Sequence, residues 1–226
     1  VEGWGYGMTV FVVSDAITFD VGRRTIFLEK SSLSEDDRIA MLFAETLNEL
    51  GVRYSVIAGY VAILFGRARR SDDIDFITYP LAEDEFLKLC LLLRDRGFKL
   101  MQGDIGSESS IRKVYEGYLE RGFSIRFIYG DIILPNVWFK TARSPLQYYS
   151  IDNSLTVIVN KKHLIKIAPL ELQIAHKLYL GNEKDLGDAV FLYTLFRQAL
   201  NHQELHKWLS TLGVDISMLE VAGSGG

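Results

Sequence analysis

Val56–Phe76 reads VIAGYVAILFGRARRSDDIDF, and this stretch decides how the rest of the chain is read. An apolar run ends at Gly59. Tyr60–Phe65 is short and apolar, as a helix closing at Gly66 would be, and an arginine-rich turn follows. Asp73-Ile74-Asp75-Phe76 then opens a strand. Residues two apart on a strand share a face, so Asp73 and Asp75 should present paired carboxylates while Ile74 and Phe76 enter the core. Two such carboxylates repel unless a cation lies between them. Mg²⁺ (or Mn²⁺) suits the position, because a hard cation is commonly held by one or two carboxylates together with substrate phosphates. Gly59, at a strand end leading into a helix, permits close backbone approach to an anion. Arg67, Arg69 and Arg70 are placed to donate charge-assisted hydrogen bonds to phosphate, and Asp72 reads as a solvated turn residue.

Working outward, strands are expected at 9–13, 24–29, 53–58, 73–79, 98–101, 111–119, 123–129, 148–151, 155–159 and 163–168. Helices are expected at 34–50, with Ser34 as N-cap, at 60–65, 81–96 and 169–181, at 183–200, and from Asn201 onward, with a short one at 135–143. Strands mixed with helices give way to helices alone. The fold class is therefore α+β: a mixed β-sheet core flanked by helices, with a helical C-terminal subdomain. The boundaries drawn are 1–33 for an N-terminal strand pair or extension, 34–167 for the core, and 168–222 for the helical subdomain packed on it.

The chain has 226 residues, 48% of them hydrophobic, and a net charge of −4, so no global basic excess advertises a polyanionic partner. Its single cysteine, Cys90, allows no internal disulfide, sits in an apolar run and is expected in the core; a cytoplasmic location fits. Charges interrupt the apolar runs before they reach membrane-spanning length, and VEGWGYGMTV has no basic leader segment. The terminal GSGG reads as a flexible tail. The four histidines show no metal-ligand spacing, and the aromatic set from Tyr148 to Phe196 is expected in the core or at the subdomain interface.

The Gly59-to-Asp75 stretch resembles the signature of the nucleotidyltransferase (DNA polymerase β-like) superfamily: a hydrophobic residue and Gly-Gly or Gly-Ser, about a dozen residues, then Asp-hydrophobic-Asp/Glu-hydrophobic. It is most similar to the AbiEii-type toxin nucleotidyltransferase branch, with Ala58-Gly59-Tyr60 standing where Gly-Gly-Tyr would be, and with Gly66, Arg69, Ser71, Asp73, Ile74 and Asp75 matching. Ile167–Glu171, Lys177-Leu178, Lys184-Asp185 and Asp188 resemble that branch's helical region, so the likeness runs over about residues 36–195. The resemblance implies a nucleotidyltransferase-like core in which Asp73 and Asp75 are catalytic and bind metal. Gly59, Tyr60, Arg67, Arg69, Ser71, Lys177, Lys184 and Asp185 would lie about the nucleotide.

Two departures stand out. Ala58 replaces the first glycine, and Arg126 occupies the strand 123–129 where a third carboxylate is expected. Arg126 cannot ligate a metal and is expected to pair with Asp73 or Asp75, leaving Asp131 or Glu116 as substitutes. The function implied is Mg²⁺-dependent transfer of a nucleoside monophosphate from ATP, GTP, CTP or UTP to an unidentified acceptor, RNA or protein among them. The alternative is a catalytically degenerate fold that binds nucleotide or a partner without turnover, in a toxin–antitoxin-like pair. A third reading is a general α+β domain in which the motif is accidental.

Overall fold

The computed structural model describes residues 9–217 and 219. The readings made for the first residues and for the GSGG end fall outside them. In chain order the elements are β1 (Val10–Ser14), β2 (Ile17–Asp20), β3 (Thr25–Leu28), α1 (Glu35–Glu49), β4 (Tyr54–Ile57), α2 (Gly59–Leu64), β5 (Asp73–Thr78), α3 (Glu83–Asp95), β6 (Phe98–Leu100) and α4 (Glu108–Val114). A π-helical turn, Tyr115–Leu119, continues α4. There follow β7 (Ile125–Tyr129), β8 (Ile132–Thr141), α5 (Pro145–Asp152), β9 (Leu155–Val159), β10 (His163–Ile167), α6 (Leu170–Leu180), α7 (Glu183–Phe196) and α8 (His202–Leu212).

The ten strands among the described residues form one mixed sheet in the order β1-β2-β3-β9-β10-β4-β5-β8-β7-β6. The pairs β3·β9, β10·β4 and β5·β8 are parallel, and the other neighbouring pairs are antiparallel. One face packs on α1 and α3. Val56, Phe76, Phe127, Val137, Phe139 and Ile167 are fully buried there, and Phe43 of α1 meets Phe76 at 4.8 Å and Phe139 at 6.0 Å between ring centroids. Cys90 of α3 is buried, as its apolar run requires. The other face is covered at β4 and β5 by α5, over a small core of Ile77, Ala142 and Ile151. Helices α6, α7 and α8 pack on one another beyond it.

The expected α/β mixture with terminal helices is present, and three local readings are corrected. Residues 111–119 form a helix rather than a strand. Ser107 caps it, and Ile111, Val114 and Leu119 are its buried side. Residues 148–151 are also helical. Ser144 accepts from the Gln147 N–H with Pro145 at the first helical position, so a capped start overrides the β-branched and aromatic content. Residues 135–141, read as a helix, belong to β8. Pro135 lies before β8 begins pairing with β5 at Asn136, and within the irregular register of β7 and β8, so its missing N–H breaks no ladder bond. Strand β2 was not foreseen.

Candidate active site

Asp73 and Asp75 lie on the sheet face away from the Phe43 core, while Ile74 and Phe76 between and beyond them are fully buried. β5 sits between β4 and β8, with Asp75 opposite Ile57 on one side and Trp138 on the other. Ser71 Oγ donates to the Asp73 carbonyl at 2.9 Å, and the Asn136 N–H donates to the Asp72 carbonyl at 2.9 Å, which fixes the entry to β5. Neither the Asp73 nor the Asp75 carboxylate accepts a hydrogen bond or pairs with a cation among the described residues. Burial pushes the Asp75 carboxyl up to about 6 against the pull of Lys140, with Asp73 adding to the rise and Lys177 opposing it.

The turn into α2 is strained. Ala58 has φ 64° and ψ −141°, a region essentially reserved for glycine. Its N–H donates to Gln173 Oε1 of α6 at 3.3 Å, so the helical C-terminal part holds the turn. Gly59 is needed for a different reason: a Cβ there would stand 2.5 Å from Arg69 Nη2 and 3.3 Å from Ser71 Oγ. Tyr60 points inward. It is fully buried and donates to Asp37 Oδ1 at 2.9 Å, while Lys30 Nζ meets Asp37 Oδ2 at 2.7 Å. Only the backbone of Tyr60 is therefore left to face a ligand.

Arg69, Arg67 and Lys177 converge on Asp188, which is fully buried. Arg69 grips it with Nε at 2.8 Å and Nη2 at 2.6 Å, and Lys177 Nζ is 2.6 Å from Oδ2. Arg67 also pairs with Asp188 and donates to the Lys184 carbonyl at 2.8 Å. Lys177 reaches Asp185 Oδ1 at 2.8 Å. Burial lowers the pKa of Lys177, Arg69 and Arg67. Burial alone would raise Asp185, but its bond and charge attraction to Lys177, together with Asn182 and Arg69, outweigh that and hold it low. The Lys184 side chain stays exposed. The structure thus gathers Gly59, Arg67, Arg69, Ser71, Lys177 and Asp185 around one corner. Its cations are largely engaged with carboxylates of their own chain.

The third-carboxylate expectation needs correcting as to place. The strand beside β5 is β8, not β7. Asp75, Trp138 and Arg126 form one row across β5, β8 and β7. Trp138 therefore separates Arg126 from Asp75, and the Arg126 guanidinium lies 5.0 Å from the Trp138 ring centroid instead of pairing with Asp73 or Asp75. Asp131 is bound to Lys99 at 2.6 Å at the far hairpin, and Glu116 is exposed on the π-helical turn. On β8 the residues sharing the Asp75 face are Asn136, Trp138 and Lys140. No cluster of three or more His, Cys, Asp or Glu suited to a metal occurs among the described residues.

Next to Ile57, the residue paired with Asp75, is a cavity of about 300 Å³, lined by Ile57, Lys140, Gln173, His176, Lys177 and others but by neither aspartate. Gln173 is 4% exposed, and its Nε2 has no hydrogen-bond partner among the described residues. Burial and Lys177 lower the His176 pKa, which keeps the ring neutral at pH 7. Sequence reasoning missed Lys140, Gln173 and His176. The signal for the last two was present, because Gln173, His176 and Lys177 stand at i, i+3 and i+4 and share a helical face. Lys140 was hidden by the helix reading of β8.

No protein-family model matches the chain, and no curated protein matches it. Among solved structures it is similar to an antigenic nucleotidyltransferase-like protein from Paracoccidioides brasiliensis, at 17% identity and a TM-score of 0.53, over 85% of this chain and 94% of that one. The fold is nucleotidyltransferase-like. The antibiotic-resistance factor ANT(2'')-Ia is a more distant match, at 11% identity and a TM-score of 0.44, over 84% of this chain and 100% of that one. No helix among the described residues is long and apolar enough to cross a membrane.

Proposed function

We propose that the protein is a Mg²⁺-dependent (or Mn²⁺-dependent) nucleotidyltransferase that moves a nucleoside monophosphate from ATP, GTP, CTP or UTP to the hydroxyl of an unidentified acceptor, RNA and protein among the candidates. The observation that carries this reading is the Asp73/Asp75 pair, without a hydrogen-bond or ion-pair partner among the described residues, next to a cavity on a nucleotidyltransferase-like fold. Two adjacent carboxylates that accept no hydrogen bond and form no ion pair among the described residues fit a divalent ion that completes its shell with phosphate oxygens. When bound, such an ion polarises the reacting phosphoryl group and neutralises charge on the leaving pyrophosphate. Asp73 and Asp75 would hold it. Gly59 would let the backbone approach the phosphates, with Ser71 keeping the turn closed. Neutral His176 is the cavity group suited to taking a proton at a ring nitrogen from the acceptor hydroxyl. Arg67, Arg69, Lys177 and Asp185 would act mainly by fixing the corner, with the Lys140 ammonium closer to the incoming anion.

Labelled NTPs incubated with Mg²⁺ and a mixed RNA and protein pool test this. Label should appear on an acceptor, and Asp75→Asn should lower the rate by about a hundredfold or more. Unchanged transfer in Asp75→Asn would sink the assignment. One observation favours a second reading. Lys140, a cation, stands on the β5-facing strand where a third carboxylate would be sought. On that reading the fold binds nucleotide or a toxin–antitoxin-like partner without turnover, and equilibrium dialysis would show NTP bound while no label moves.

A further inference from the structure

A second, larger cavity of about 510 Å³ lies at the C-terminal end of α5, lined from both sides of β4: Asn48 and Tyr54 on the α1 side, Arg53 on the Asp75 side. Four cations line it, Arg23, Arg24, Arg53 and Lys166, against one carboxylate, Asp152. In a chain of net charge −4 this reverses the sign locally. The faces follow from register: Ile167 pairs with Val56 and Val56 with Phe76, all toward the core, so Lys166 projects to the side of Asp75. Strand spacing and rise place the two residues roughly 12 Å apart.

The cations are not all neutralised. Arg53 pairs with Asp152, and Arg23 lies 3.6 Å from Asp20. Lys166 Nζ donates to the Thr156 hydroxyl at 2.6 Å, and Arg24 reaches the Asn153 carbonyl. Neither has a carboxylate partner among the described residues. Burial lowers the Lys166 pKa, a cost met without a counter-charge. Arg24 sits at φ 52°, a left-handed conformation uncommon for a non-glycine residue. The volume is that of a small-molecule site.

From this geometry we infer that the cleft of Arg24, Arg53 and Lys166 is a binding site for a phosphoryl group, distinct from the Asp73/Asp75 centre. The phosphoryl group is either that of a free small phosphate compound or the terminal phosphate of an oligonucleotide. The inference concerns binding alone and does not rest on nucleotidyl transfer.

Calorimetric titration of the whole protein in EDTA tests it, with inorganic pyrophosphate, a 5′-phosphorylated RNA oligonucleotide and its 5′-hydroxyl counterpart as probes. Saturable binding of pyrophosphate or of the phosphorylated oligonucleotide is expected, weakened about tenfold or more in Arg24→Asn/Lys166→Gln. Asparagine tolerates the left-handed backbone, so Arg24→Asn removes charge without new strain. Binding should survive Asp73→Asn/Asp75→Asn and return in Arg24→Asn/Lys166→Arg relative to the double neutral variant. Pyrophosphate alone binding assigns the site to small anions, and discrimination between the two oligonucleotides assigns it to a nucleic-acid end; both support the site. Equal binding of both oligonucleotides without pyrophosphate binding, binding indifferent to Arg24→Asn/Lys166→Gln, or no saturable binding at millimolar probe would overturn it.

Discussion

Asp75 and Ala58 each hold a conformation or charge that the fold disfavours, and each gives a direct measurement. The folded-state pKa of Asp75 is raised to about 6 by burial. A carboxyl with a raised folded pKa stabilises the protein below its unfolded value, and that contribution is lost as pH climbs through the folded pKa. Across pH 4 to 6 the loss is of the order of 3 kcal/mol. Asp75→Asn should therefore raise Tm at pH 7, with the gain fading toward pH 4; a gain that does not depend on pH would show that charge is not its source. For Ala58, the backbone strain is worth about 1–3 kcal/mol and glycine costs about 0.4–1 kcal/mol in unfolded-state entropy. Ala58→Gly should accordingly gain about 1 kcal/mol, or roughly 2–4 °C in Tm for a chain of this size. A lowered Tm would mean that the alanine methyl packs more profitably than its dihedral angles suggest.

Among elements, α6 and α7 matter to the site more than their distance along the chain implies. Gln173 holds the Ala58 turn, and Asp188 carries three cations at a fully buried position. Asp188→Asn leaves Arg67, Arg69 and Lys177 short of their counter-charge and should cost about 3–5 kcal/mol. Lys177→Met, which leaves Asp188 its two arginines, should cost less, and urea midpoints will rank them. The same elements show what was legible in the sequence. The Gly59–Asp75 stretch could be read because its chemistry is local: strand, turn, short helix and strand follow within twenty-odd residues, and alternation alone puts both aspartates on one face. The partner strand could not be read so easily. Pro135 made 135–143 look like a helix start, although pairing with β5 begins only after it. With β8 misread, Trp138 and Lys140 were invisible as neighbours of Asp75, and the third carboxylate was sought on β7. Tyr60 was read by motif position as a ligand contact, whereas its hydroxyl serves Asp37 in the core. Helix α5 was misread although Ser144, Pro145 and Gln147 announced it, because aromatic and β-branched content was weighted above capping.

At the scale of the whole molecule, a single sheet joins the chain's distant parts. β3 lies against β9 in parallel, and β10 lies against β4, so late strands complete early ones. Such non-local pairing makes assembly slower than a string of hairpins would. Asp188 adds an order in time to this layout. The arginine turn is made early, but its carboxylate lies 119 residues downstream of Arg69. At translation rates of about 5–20 residues per second the interval is roughly 6–24 s. Throughout it the nascent chain carries Asp73 and Asp75 without the helices that brace their turn. The corner around Gly59 is therefore assembled only once α7 has been made, and a chain ending before α7 is left without it.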